Sequence, residues 1–267
     1  MRLPVNHALF FVATLGFAGA AAAQEASYEP PVSSRQFDIE VGIGGSVQTK
    51  YPTADSVIFS PFPIFSVGRF YVPGLGQVVD GRRKSGVFFF PSLNFVGERK
   101  ASDDSDLTGT RDVDWAFEAG LGAGYRTEHW RAFVELRQSF NGHTGQVGQF
   151  GADAIFYPTQ KLELNVGPRV GFGFGDYMDT YFGVTAAEAA ASGGRLSAYD
   201  PGSGITKVGV SARASYNLTD RTRLHFRAGY DRLVGDAADS PLADVGSKDQ
   251  FSIGAGVSYR FSFDLFD

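Results

Sequence analysis

The side chains in this sequence that could do chemistry are few, and most are charges spaced two, four or six residues apart. Arg131, Glu135 and Arg137 share one parity, Glu163 and Arg169 a second, and Lys207 and Arg213 a third. Arg223, His225, Arg227 and Asp231 form a fourth set. Hydrolytic chemistry would need a Ser activated by a His and oriented by a further polar group. After the first 23 residues the only histidines are His129, His143 and His225. None is followed by a Ser two residues on, and no Gly-x-Ser-x-Gly elbow occurs. The chain has no Cys, which removes thiolate nucleophiles, thiolate metal sites and disulfides. Gly171-Phe172-Gly173-Phe174-Gly175 lacks the Lys-Ser/Thr ending that a phosphate-binding loop needs, so these read as strand glycines. Asp103, Asp104 and Asp106, like Asp236, Asp239 and Asp244, lack the ordered spacing of a calcium loop and read as solvated loops. The expectation is a protein with no catalytic residue, no metal and no cofactor.

Strands must position these charges. From Gln250 to Phe261, Phe251, Ile253, Ala255, Val257, Tyr259 and Phe261 alternate strictly with Ser, Gly and Arg. A large apolar face backed by a small polar face suits a wall with lipid on one side and water on the other, the dyad pattern of a transmembrane β-barrel strand. A charge on the lipid face would cost about 2–4 kcal/mol at the midplane, so the charges must point inward. The candidate lumen residues are therefore Arg131, Glu135, Arg137, Arg169, Arg213, Arg223, His225 and Arg227. The four sets above contain seven Lys and Arg against three acids. They either pair and fill a narrow lumen or line a path biased toward anions.

The first residues read as an export signal: Arg2, an apolar stretch from Ala8 to Ala18, and Ala21-Ala22-Ala23 ahead of cleavage between Ala23 and Gln24. That divides the chain into a signal peptide over 1–23, a periplasmic lead over 24–34 and a barrel over 35–267. No run of 18 apolar residues follows, so no helical span is expected. The 34 Gly and 14% aromatic residues suit a barrel wall with aromatic girdles, and a net charge of −5 gives no reason to expect nucleic acid. Strands are predicted over about 35–50, 86–95, 115–125, 130–137, 147–157, 162–181, 205–218, 223–232 and 250–263. The region 56–83, broken by Pro61, Pro63 and Pro73, is read as two or three short strands. Thr185 to Ala191 has capping-box spacing and Ala-rich composition, predicting one or two helical turns over the barrel mouth. Short turns at Thr127, Pro158 and Thr219 alternate with long connections at Lys100, Gly183 and Leu233. Outer-membrane barrels keep short turns in the periplasm, which predicts periplasmic termini and an even strand number. The prediction is all-β: a single antiparallel transmembrane barrel of about 12 strands, with 10 as the alternative.

Several segments carry a family resemblance: Thr180-Tyr181-Phe182-Gly183-Val184-Thr185 with Ala198-Tyr199-Asp200, the stretch from Tyr230 to Pro241, and Gln250-Phe251 with Tyr259-Arg260-Phe261. Together they resemble the MipA/OmpV family of outer-membrane proteins, over essentially the whole exported chain. The resemblance implies a non-enzymatic outer-membrane barrel that scaffolds a lytic transglycosylase and a murein synthase. Other members are described as porin-like, which keeps a narrow channel open as the alternative. Lipid, lipopolysaccharide and the barrel assembly machinery are the further partners expected. One departure is the tail Ser262 to Asp267 beyond the expected terminal aromatic, Phe261. Either the strand runs on to Phe263 or Phe266, or a short tail projects.

Overall fold

Residues 35–74, 76–80 and 85–266 are described by the structure, a computed structural model. The expected signal peptide, its Ala23–Gln24 cleavage point, the lead and the Arg82-Arg83-Lys84 segment lie outside the described residues. Among the described residues the alternating pattern forms eleven strands: β1 (Phe37–Thr49), β2 (Val57–Val72), β3 (Gly76–Asp80), β4 (Gly86–Val96), β5 (Ala116–Arg126), β6 (Trp130–Phe140), β7 (Gln146–Thr159), β8 (Leu162–Phe174), β9 (Gly204–Asn217), β10 (Thr222–Leu233) and β11 (Asp249–Phe263). All belong to one antiparallel sheet, in the order β3-β2-β1-β11-β10-β9-β8-β7-β6-β5-β4. β1 pairs with β11 from Phe37–Phe263 to Gln48–Ser252, which joins the two ends of the chain and curls the sheet into a nearly closed barrel.

Ten of these strands are long; β3 is a five-residue arm on the end of β2. Among the described residues ten is therefore the count, the alternative to about twelve that the sequence allows. The region 56–83 contributes two strands, but Pro61 and Pro63 do not break it and lie inside one 16-residue strand. They are tolerated because β2 ladders only to β1 there, opposite Gly45 and Ile43. A strand bonded on one side has N–H positions to spare, and proline lacks only that donor. Pro91 lies in β4, the strand on the other side of the same seam. At the loop end the seam is bridged by Gly97 N donating to Lys50 O (2.7 Å) and Gln48 Nε2 donating to Phe95 O (2.8 Å).

Outward positions are apolar and exposed: Phe89 and Leu121 are 79% and 74% accessible, and Ile43, Phe251 and Ile253 behave alike. The two Trp mark opposite edges of this band, Trp115 stacked on Phe95 at the loop end and Trp130 against Tyr125 at the turn end. The eleven residues of β5 between them span about 36 Å along the strand at about 3.3 Å each. A tilt of about 40° projects that to about 28 Å, close to the apolar band of an outer-membrane barrel. β11 runs on to Phe263, which stacks on Phe37, and Phe266 follows against the same ring. The Gln36 side chain accepts from Leu265 N and Phe266 N, tying down the tail.

The apolar core lies not in the lumen but at the loop end. Three long connections meet there: 97–115, 175–203 with α1 (Asp176–Tyr181) and α2 (Ala186–Ala191), and 234–248 with α3 (Pro241–Val245). Tyr177, Met178, Tyr181, Phe182, Leu196 and Leu242 form its centre, joined by Leu107, Val113 and Tyr51. The predicted capping box exists: Thr185 accepts from Glu188 N, and Glu188 accepts from Thr185 N.

Candidate functional site

The inward side chains fall into three layers along the barrel. Nearest the short turns, Arg126 pairs with Glu163 at 3.0 Å and donates to Tyr157 Oη. Across the barrel Glu40 gathers His225 (3.1 Å), Arg223 (3.7 Å) and the Ser258 hydroxyl. Arg223 also donates through Nε to Asn217. At the loop end Glu118 accepts from Arg137 Nε (2.9 Å) and Asn94 Nδ2 (3.1 Å), and Arg137 Nη1 reaches Glu135 at 2.5 Å. Lys207 pairs with Asp231 at 3.0 Å on the same level. The turn-end layer sets two Arg against two Glu, and the loop-end layer sets three acids against two bases.

The middle layer is different. Arg131, Asp153, Arg169, Arg213 and Arg227 stand on five consecutive strands, β6 to β10. Asp153 is held from both sides, by Arg131 Nη2 and Arg169 Nη2 at 2.7 Å each. Both guanidiniums also lie over the Phe133 ring. Arg227 stacks on Phe62 at 4.0 Å and donates Nη2 to Ser46 Oγ at 2.7 Å, but its buried Nε meets no acceptor. Arg213 lies directly opposite Arg227 in the β9–β10 ladder. Its charged neighbours are Arg131, Asp153, Arg169 and Arg227. It stands exposed within the lumen and makes no hydrogen bond or ion pair among the described residues. Four guanidiniums share one carboxylate.

Arg131, Glu135, Arg137, Arg169, Arg213, Arg223, His225 and Arg227 thus sit in three layers rather than one ring. Their acidic partners Glu40, Glu118 and Asp153 were not singled out from the sequence, nor was Arg126, the partner of Glu163. For Glu40 and Glu118 the signal was present, since each alternates with apolar neighbours in its strand. Asp153 lies in Gly151-Ala152-Asp153-Ala154, where small residues on both faces erase the parity.

Above the lumen the cap is tied together by polar contacts. Arg111 donates Nη2 to Asp179 O (2.7 Å) and its backbone N to Glu188 (2.9 Å), linking two loops. Thr144 N donates to Asp176 at 2.6 Å, and Ser240 Oγ to Phe182 O at 2.6 Å. His143 is fully buried between Tyr177 and Tyr181, with Nε2 at 3.6 Å from Glu118. Arg99 is 1% exposed, and burial lowers its pKa while raising that of Tyr181. The cap also encloses an open cleft of about 950 Å³ lined by Arg111, Thr144, Asp176, Asp179, Tyr199 and Asp200, which no sequence motif announced. Among the described residues no group of three His, Asp or Glu is placed to hold a metal. His129 lies in the exposed turn between β5 and β6, away from the lumen network.

An apolar outer wall, aromatic edges, a charged interior and closure between the first and last long strands define an outer-membrane β-barrel. The sequence profile described as MltA-interacting protein MipA matches residues 41–261, and the chain belongs to that family. It is similar to the MltA-interacting protein of Escherichia coli strain K12, 25% identical over 236 residues, covering 85% of this chain and 90% of that one. It is also similar to the protein YiaT of the same strain, 27% identical over 180 residues. That match covers 65% of each chain, so this chain spans just under two thirds of YiaT's length. Among solved structures, an outer membrane channel from Pseudomonas putida F1 aligns at a TM-score of 0.46 and 10% identity, covering 91% of this chain and all of that one.

Proposed function

We propose that this barrel is a non-enzymatic outer-membrane scaffold that brings a lytic transglycosylase and a murein synthase together at the cell envelope. The observation that carries this reading is the closure of the barrel. Its loop end is sealed by a packed apolar core, and each of its three lumen layers holds side chains engaged in ion pairs along the wall. A barrel built this way offers surface rather than an open bore. The name of the E. coli relative supports the choice of partner. In this reading the short turns and both termini face the periplasm, and the exported chain begins at Gln24. The turns at Thr127 to His129, Pro158 to Lys161 and Thr219 to Arg221, with the Arg82–Lys84 segment and the lead, then form the partner surface. The outer wall meets lipid and lipopolysaccharide, after insertion by the barrel assembly machinery. Replacing those turns with Gly-Ser sequences should abolish co-purification of murein enzymes while the barrel still shows heat-modifiable migration. Undiminished capture by a turn-replaced barrel would overturn the scaffold reading.

The arginine-rich middle layer favours a second reading, a narrow anion-preferring channel. Here the refolded protein should give discrete, anion-selective conductance in planar bilayers, and Arg131→Glu or Arg227→Glu should reverse its selectivity. Silent bilayers containing folded barrel would rule this out.

A further inference from the structure

The middle layer of the lumen has a charge excess that no side chain relieves. Arg131, Arg169, Arg213 and Arg227 face one carboxylate, Asp153, and that carboxylate is already occupied on both oxygens by Arg131 and Arg169. Arg213 and Arg227 form a directly opposed pair of like charges in the β9–β10 ladder, a placement that is destabilising on its own. Guanidinium cannot shed its proton to escape the repulsion. The acids of the layers above and below are already engaged: Glu118 and Glu135 hold Arg137, Asp231 holds Lys207, Glu163 holds Arg126, and Glu40 holds His225 and Ser258.

Two of these arginines also keep unmet donors. Arg227 is fixed by Phe62 beneath it and Ser46 beside it, leaving Nε buried with no acceptor. Arg213 is exposed to lumen space while enclosed by the barrel wall, and its whole fork of donors is unpaired. A planar fork presenting parallel N–H groups matches the two oxygens of a carboxylate, phosphate or sulfate better than it matches a spherical ion.

We propose that the middle layer is a binding site for a small oxyanion, held between Arg213 and Arg227 with Arg169 adding charge from the side. The occupant is either a free inorganic oxyanion or the phosphate or carboxylate end of a larger solute. The proposal shares its arginines with the channel reading but needs no conduction; a silent barrel that binds the anion would leave it intact.

The test uses the folded full-length barrel in detergent, with inorganic phosphate as the probe and chloride at equal ionic strength as the reference. Thermal unfolding should shift to higher temperature with phosphate and saturate, and titration calorimetry should give one site per chain. Losing a charge-assisted contact is expected to weaken phosphate binding about tenfold or more in Arg213→Gln and Arg227→Gln. Arg195→Gln, on the cap surface, should bind like the parent. Arg213→Gln should also melt above the parent in chloride, because the substitution removes an unpaired like charge, and the order should reverse in saturating phosphate. That crossover separates a binding residue from one needed only for folding. Glycerol phosphate binding as tightly as phosphate would mark the site as taking the end of a solute, and phosphate alone would mark a free ion. No preference of phosphate over chloride, or an unchanged preference in both Gln variants, would overturn the proposal.

Discussion

Glu188 shows how much one side chain does in the cap. It closes the capping box of α2 with Thr185 and accepts the backbone N of Arg111 from another loop. Burial alone would raise its pKa, but the N–H groups of Arg111 and Thr185 and the Thr185 hydroxyl outweigh it and hold the carboxylate below its usual range. Asp176 is held low chiefly by the Thr144 backbone N–H. A depressed carboxylate contributes stability that is present above the unfolded pKa of about 4 and is lost as pH falls through the folded value. The cap should therefore loosen below about pH 4 while the strands stay intact. Limited proteolysis with an acid-tolerant protease should cut first within 175–203. Glu188→Gln should loosen the same loop at neutral pH, and Thr185→Ala should cost α2 about 1 kcal/mol. Unaltered cleavage in both variants would show that the box is incidental to the cap.

At the scale of elements, the ladder decides which substitutions the wall accepts. Pro61 and Pro63 occupy a stretch of β2 paired on one side only, so Pro63→Ala should leave the heat stability of the barrel nearly unchanged. Ala212 in β9 pairs with Ala228 on one side and Val166 on the other. Ala212→Pro should therefore lower refolding yield sharply, since an interior proline removes a ladder bond and costs about 3 kcal/mol or more by helix analogy. Glycine obeys the same logic. A methyl on Gly167 would fall on the backbone carbonyl of Ala152, whereas on Gly122 it would meet the Phe90 ring, which can turn aside. Gly167→Ala should be the more damaging of the two in a urea titration, and equal midpoints would contradict the close backbone approach.

For the whole molecule, the question is what the sealed end does. Leu107, Phe182, Leu196 and Leu242, drawn from the three converging loops, are buried as deeply as the core of a soluble domain. Burying such side chains is worth about 1.5–3 kcal/mol each relative to exposure. That is enough to keep the mouth closed without a ligand. Replacing 183–202 with a short Gly-Ser linker should remove α2 and much of that core while leaving the ten long strands paired. In planar bilayers the shortened barrel should conduct more than the parent, and equal conductance would place the barrier in the ion-paired layers instead.

The sequence by itself determined the class of this protein: strict alternation is a local property, and it marks every strand in which one face is apolar and the other small or charged. It also determined the capping box of α2, whose Thr185 and Glu188 are three residues apart. It misjudged the prolines of 56–83, since whether a proline breaks a strand depends on whether a neighbour needs its N–H, and only the seam between β2 and β4 supplies that fact. It could not tell the arginine-rich layer from the other two either. Which carboxylate meets which guanidinium depends on strand register and tilt around a closed wall, and Asp153 joins Arg131 and Arg169 only once β6, β7 and β8 are aligned. The cap core was equally hidden, because its apolar residues are scattered over three loops with no common period, and only closure of the barrel brings those loops together.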